Sequence, residues 1–196
     1  MTDYNNTLPQ ISGALQVEGE KQLSILVMGV GESGHAMAKW AYRQGAQVSM
    51  HDTRPQHTLS QSALEKVKEL QDLGIHIRFG KDENEFNMDG IDVIAMSPGI
   101  SPLDSWTSNI LQIAKTRNVA IWGELDLFTK ALKALQQSRN YTPKVVAITG
   151  TNGKTTTTAF CGVIFEKAGK TVAVAGNISP SLPVSYTHLT LPTIYS

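Results

Sequence analysis

The sequence predicts an α/β protein: a parallel sheet with helices on its faces, followed by the opening of a second α/β unit. Two observations carry that expectation. Short apolar segments of strand length alternate with longer helical ones from residue 23 to residue 139, the pattern of parallel strands joined by crossover helices. In addition, two strand-to-helix junctions, at 29–34 and 150–156, are glycine-framed loops, as expected where a backbone must approach phosphate closely.

Residues 1–22 are polar and without periodicity, and read as a leader. "LSILVMGVG" (23–31) begins with a strand-sized apolar run and is the first strand. "HAMAKWAYRQG" (35–45) is a helix, "AQVSMHD" (46–52) a strand and "TLSQSALEKVKELQDLG" (58–74) a second helix. "IHIRFG" (75–80) and "GIDVIAMSPG" (90–99) supply two more strands, and "DSWTSNILQIAKTRN" (104–118) a further helix. "VAIWGE" (119–124) is a strand, and "LDLFTKALKALQQSR" (125–139) a helix whose Leu and Phe stripe between 125 and 135 is expected in the core. Residues 23–140 thus form a complete Rossmann-like domain, and the proline-containing "NYTPK" (140–144) is the linker that follows.

A second unit, 141–180, begins with a strand at 145–148, continues through the second glycine loop into the helix "TTTTAFCGVIFEKAGK", and reaches a strand in "TVAVAGNI" (171–178). One strand, one helix and another strand cannot bury a core. "SLPVSYTHLTLPTIYS" (181–196) has no charged residue and no alternation that continues the unit, and is expected to be a non-native or disordered tail on a protein cut short.

Composition narrows the partners. The chain is 41% hydrophobic and 17% charged with a formal net charge of zero, without the basic excess of a nucleic-acid surface. The lone cysteine, Cys161, cannot form an internal disulfide, and no export signal opens the chain. No apolar run approaches the ~20 residues of a membrane helix. A cytoplasmic protein with neither nucleic acid nor membrane as partner is expected. The five histidines lack metal-ligand spacing, and His51 reads as a strand-end side chain.

In "GTNGKTT", the backbone N–H groups of Gly150, Thr151, Asn152, Gly153, Lys154, Thr155 and Thr156 can converge on phosphate oxygens at the positive end of the next helix. Lys154 would reach the terminal phosphates of ATP, and the Thr155 hydroxyl would ligate magnesium. The general pattern has glycine six residues before the lysine; here Ile148 stands there, with the glycine at 150, which points to a particular subclass. The earlier loop, "GVGESG", places Gly29, Gly31 and Gly34 between strand and helix, with Asp52 at the end of the next strand. That spacing suits a dinucleotide, with Asp52 on a ribose hydroxyl, and a nucleotide sugar equally. "SPGI" (97–100) follows another strand, and in a doubly wound sheet it would share the crevice with both.

The combination of "VMGVGESG", "HDTR", "MSPGI", "WGELDLF", "VAITGTNGKTTTT" and "AGNI" resembles the Mur ligases, ATP-dependent enzymes of peptidoglycan precursor synthesis, over residues 23–180. It looks most like the branch that adds D-glutamate to UDP-N-acetylmuramoyl-L-alanine; folylpolyglutamate synthases share the P-loop variant, and such a related ligase is the alternative enzyme reading. The resemblance implies that Glu32, Ser33 and Gly34 lie on the uridine diphosphate, with Asp52, Thr53 and Arg54 around uracil and ribose. Ser97 and Gly99 would complete that pocket, and Asn177 would contact the muramoyl group near the reacting end. Glu32 stands where this loop commonly has an apolar residue, and its charge would repel diphosphate unless it turns outward. Catalysis would run through an acyl phosphate, with Lys154 as the charge-neutralising catalytic residue, ATP and magnesium as cofactors, and a monomer as the working state. The second magnesium-binding carboxylate, a modified lysine and the amino-acid-binding domain would lie beyond residue 180, so the chain is expected to be an inactive N-terminal fragment. A plain NAD-binding or regulatory module is the reading from a different class.

Overall fold

The computed structural model of the protein describes residues 22–81, 88–140 and 142–175. The first unit contains β1 (Ser24–Met28), α1 (Glu32–Arg43), β2 (Gln47–Asp52), α2 (Gln61–Asp72), β3 (His76–Phe79), β4 (Val93–Met96), α3 (Ser105–Thr116), β5 (Ala120–Gly123) and α4 (Glu124–Arg139). A 3₁₀ turn at Gln56–Thr58 precedes α2, and Ser60 caps that helix by accepting the Ala63 N–H. All five strands pair in parallel, in the order β3-β2-β1-β4-β5. Each sequence-predicted element of this unit is present at its expected place.

Strand alternation divides the core in two. Ile25 and Val27 of β1 and Val93 and Ala95 of β4 face a layer of α1, α2 and α4, packed through Met37, Trp40, Leu70, Leu127 and Leu135. Leu26, Met28 and Ile94 face the opposite layer, where Trp106, Ile110 and Ala114 of α3 cover them. A sheet buried on both faces accounts for the continuous apolar runs of its central strands. Within the expected stripe of α4, Leu127, Phe128 and Leu135 are buried and Leu132 is partly so, but Leu125 is 63% exposed. The helix turns by about 100° per residue, so a leucine two positions before Leu127 falls off the covered face.

The second unit departs from expectation. Among its described residues, α5 (Lys154–Lys167) is the one expected element that forms. Residues 145–148 are not in a strand, and neither are 171–175, the described part of the expected strand 171–178. A strand exists through ladder hydrogen bonds with a neighbour, and an apolar run without one has nothing to pair with. Val145 and Val146 are exposed accordingly, as are Phe160, Val163, Ile164 and Phe165 of α5. One close approach is made: a Cβ on Gly162 would lie 2.8 Å from Val174 Cγ2. Asn177, the expected leader except Gln22, and the expected tail 181–196 lie outside the described residues.

Candidate functional site

Strand order reverses between β1 and β4, the topological switch point at which loops part and open a crevice beyond the carboxyl ends of the strands. The sequence-predicted residues of the first unit collect there. Gly29 leaves β1 at φ 91° and donates its N–H to the His51 carbonyl at 2.7 Å. A Cβ on Gly34 would sit 1.8 Å from the Gly29 carbonyl oxygen, so the first turn of α1 lies directly on the strand end. The loop after β4 closes the other side: a Cβ on Gly29 would meet Ser97 Cβ and Ile100 Cγ1, both at 3.3 Å. Ser97 is buried, with its N–H on the Met28 carbonyl, while Gly99 is exposed at the turn.

The Gly31 carbonyl accepts the His35 N–H at 2.9 Å, the first bond of α1. The N–H groups of Glu32, Ser33 and Gly34 therefore precede any intrahelical acceptor, at the positive end of the helix dipole. Such an end suits a phosphate.

Asp52, 1% exposed, ends β2 beneath this loop. Its Oδ2 accepts from the Val30 N–H at 2.9 Å and Arg54 Nη2 at 2.8 Å, and its Oδ1 accepts from Arg54 N and Nε, both at 2.9 Å. Those donors match the roughly four lone-pair sites of an ionised carboxylate. Burial pushes the Asp52 carboxyl up, but the Arg54 guanidinium and the two backbone amides outweigh it and hold the group below the ordinary aspartate range. Asp52 thus fixes the Val30 amide inside the glycine loop and Arg54 above it, with Thr53 half-buried between. The expectation of three parallel ligand contacts overlooked this internal pairing. Its signal was the Asp-x-Arg spacing immediately after a strand.

Glu32 turns away from the loop. Its Oε2 accepts from Lys66 Nζ of α2 at 2.6 Å, and that bond holds its carboxyl below the ordinary glutamate range. The same seam continues one turn on: Glu69 of α2 pairs with His35 Nε2 at 2.7 Å and with Lys39 Nζ. Burial holds the His35 imidazole below its ordinary pKa, against the pull of Glu69. The sequence reading missed these partners, although positions 32, 35 and 39 and positions 66 and 69 each share a helical face.

His51 is buried at the end of β2, stacked on Trp106 at 4.8 Å between ring centroids, with Nε2 donating to the Gly80 carbonyl at 2.7 Å. It is thus a strand-end side chain packed against α3. Among the described residues, no group of three or more His, Cys, Asp or Glu could hold a metal ion.

The second glycine loop is built differently. Gly150 has φ 153°, Gly153 caps α5 at φ 75° in the left-handed region, and both are exposed. The Lys154 ammonium folds back onto the loop, donating to the Gly150 carbonyl and, at 3.2 Å, to that of Thr151. Thr155 and Thr156 occupy the exposed first turn of α5, and Thr151 and Asn152 lie on the open loop. Helix N-terminus, lysine and hydroxyl are together in one loop, as the motif requires.

Comparison with known proteins gives two family matches: "Mur ligase MurD-like, N-terminal domain" over residues 23–123, and "Mur ligase middle domain" over residues 148–195. The UDP-N-acetylmuramoylalanine–D-glutamate ligase of Cupriavidus pinatubonensis is 46% identical over 176 residues, 87% of this chain and 34% of the relative. That of Ralstonia nicotianae is 45% identical over 161 residues, 80% of this chain and 30% of the relative. The chain therefore spans about a third of the length of these curated relatives. Among solved structures, a UDP-N-acetylmuramate-alanine ligase from Thermotoga maritima aligns at a TM-score of 0.45 and 23% identity, over 76% of this chain and 30% of that one. No helix among the described residues is long and apolar enough to cross a membrane.

Proposed function

The chain belongs to the Mur ligase family, on its MurD-like branch, and from that premise we propose that it supplies the nucleotide-substrate domain and phosphate loop of an ATP-dependent amide ligase. The substrates are UDP-N-acetylmuramoyl-L-alanine and D-glutamate, the names carried by its relatives. The diphosphate lies on the amides of Glu32, Ser33 and Gly34, Ser97 and Gly99 close the pocket, and Thr53 and Arg54 border uracil and ribose. Asp52 serves the pocket by holding Val30 and Arg54 in place. The observation that favours a nucleotide sugar over a dinucleotide is this engagement of Asp52. The acidic residue of a dinucleotide site keeps its carboxylate for ribose hydroxyls; this one is taken.

In the reaction, the L-alanine carboxylate oxygen attacks the γ-phosphorus of ATP, ADP leaves, and an acyl phosphate results. The D-glutamate amine then attacks the acyl carbon, loses a proton and expels phosphate as the amide forms. The loop 150–156 holds the ATP phosphates, and Lys154 exchanges its carbonyl partners for phosphate oxygens and neutralises charge, which is most of what phosphoryl transfer asks of a protein. Thr155 offers a hard oxygen suited to magnesium, which would neutralise charge on the phosphates. Asn177 contacts the muramoyl substrate near the reacting end. The protein works in the cytoplasm as a monomer. Because these 196 residues span about a third of the length of the relatives, by themselves they bind the nucleotide substrate without turning it over.

Calorimetric titration of the full chain with UDP-N-acetylmuramoyl-L-alanine and, separately, NADH tests the reading. Saturable binding of the first and none of the second is expected. The reverse would place the chain with dinucleotide-binding modules, and amide formation by this chain would refute its inactivity.

A further inference from the structure

We infer that Lys66 is a positioning residue for the diphosphate site: it draws the Glu32 carboxylate onto α2 and cancels its charge, which lets an acidic residue open a helix whose N-terminus receives phosphate. The inference rests on the nucleotide-sugar reading above and adds to it a residue on a different helix, 34 positions away in sequence.

The physical problem is set by Glu32 itself. Its N–H belongs to the group of amides without intrahelical acceptors, while its side chain is 69% exposed and charged. An acidic side chain in the first turn is attracted to the positive end of its own helix. Left without a partner, Glu32 would compete with a phosphate for the same amides and would repel it across a short distance. Lys66 removes both effects by fixing the carboxylate at 2.6 Å on the flank of α1. The seam places Lys66 there for a structural reason: Glu69, one turn further along α2, is anchored by His35 and Lys39, so α2 is held with position 66 opposite position 32. As an ion pair on the solvent edge, Glu32–Lys66 adds little to stability. Its consequence lies in the field at the anion site.

The test is a double-mutant cycle on the full chain, with UDP as the probe, read by calorimetry. At low salt, Lys66→Met raises the Kd for UDP by about threefold to tenfold when Glu32 is present, the range for one uncompensated charge near a partly exposed site. In the Glu32→Leu background the same substitution has no effect, and Lys66→Arg retains wild-type affinity. The penalty shrinks at about 0.5 M salt, where exposed charges more than a few ångströms apart are screened; a loss of helix packing would not respond in that way. A Lys66→Met penalty that is equal in both backgrounds, insensitive to salt, or absent overturns the role of Lys66 and leaves the nucleotide site standing. If the unmodified chain fails to bind UDP saturably, the nucleotide-sugar reading falls, and this inference with it.

Discussion

The two glycine-framed loops both lead into a helix and differ in their physics. In the first, packing requires glycine in addition to backbone conformation: Gly29 sits at φ 91°, and a Cβ on Gly34 would collide with the Gly29 carbonyl at 1.8 Å, between a strand buried on both faces and the helix that covers it. In the second, glycine is required by backbone conformation: Gly153 sits at φ 75°, and a Cβ there would have nothing within 4 Å. A loop of the first kind is shaped by its own domain before any ligand arrives. A loop of the second kind has the right local conformation but little around it, so its ligand and the rest of its domain must complete it.

Gly34→Ala tests the first half with the largest expected effect. Its new methyl meets backbone, which cannot swing aside as a side chain could, so α1 must lift from β1; a loss of about 3 kcal/mol, the upper end of the overpacking range and a large fraction of a marginal domain's stability, is expected in urea denaturation. Gly31→Ala, in the same loop, is the control: its φ of −68° is ordinary and a Cβ there meets nothing within 4 Å. It should stay within about 1 kcal/mol of wild type. Equal effects at the two positions would show that the loop is not shaped by packing.

Asp52→Asn comes next. The amide replaces an acceptor oxygen with a donor that faces Val30 or Arg54 donors, at an expected cost of about 2 kcal/mol. The pH dependence has a definite sign. Because the folded-state pKa of Asp52 is depressed, its contribution is present above the unfolded value of about 4 and is lost as pH falls through the lower folded value. The gap in stability between wild type and Asp52→Asn should therefore be full at pH 7 and close on acidification below about pH 4. A gap that stays constant to pH 2 would mean that the carboxylate is not what Asp52 contributes.

Much of the first unit was legible because periodicity and packing there point the same way. The run 23–30 is apolar throughout since β1 is central and covered on both faces, and Gly29, Gly34, Ser97 and Asp52 were readable from their places at strand ends. Contacts between elements were not legible: the Asp52–Arg54 fork and the Glu32–Lys66 pair depend on how α1, β2 and α2 are placed in space. Leu125 failed because a stripe was read as wider than the covered face. The strand expected at 145–148, and the described part, 171–175, of the one expected at 171–178, failed for another reason. Apolar β-branched runs state a preference for pairing, and pairing needs a second strand.

Smaller effects sharpen the contrast from the side of the second loop. Gly153→Ala puts a side chain at φ 75°, a conformation that costs an L-residue roughly 1–2 kcal/mol. That cost should appear in α5 alone, as reduced helical carbonyl shifts over 154–167, with no change in the urea midpoint of the sheet domain. A shift in that midpoint would mean that the second loop supports the first unit.

The smallest expected effect is at Phe160. Its side chain is 65% exposed on α5, so Phe160→Ser removes little buried surface, and the stability of the sheet domain should change by less than about 0.5 kcal/mol. Two readouts separate exposure from packing. Binding of a hydrophobic dye should fall, because Phe160, Ile164 and Val163 present apolar surface on the same helix. Amide exchange over 154–167 should be far faster than over β1 and β4, since local opening follows the apolar contacts that must break. If Phe160→Ser instead costs about 3 kcal/mol or more, in the range for deleting a packed aromatic, then α5 is covered and both loops are completed within the same cooperative unit.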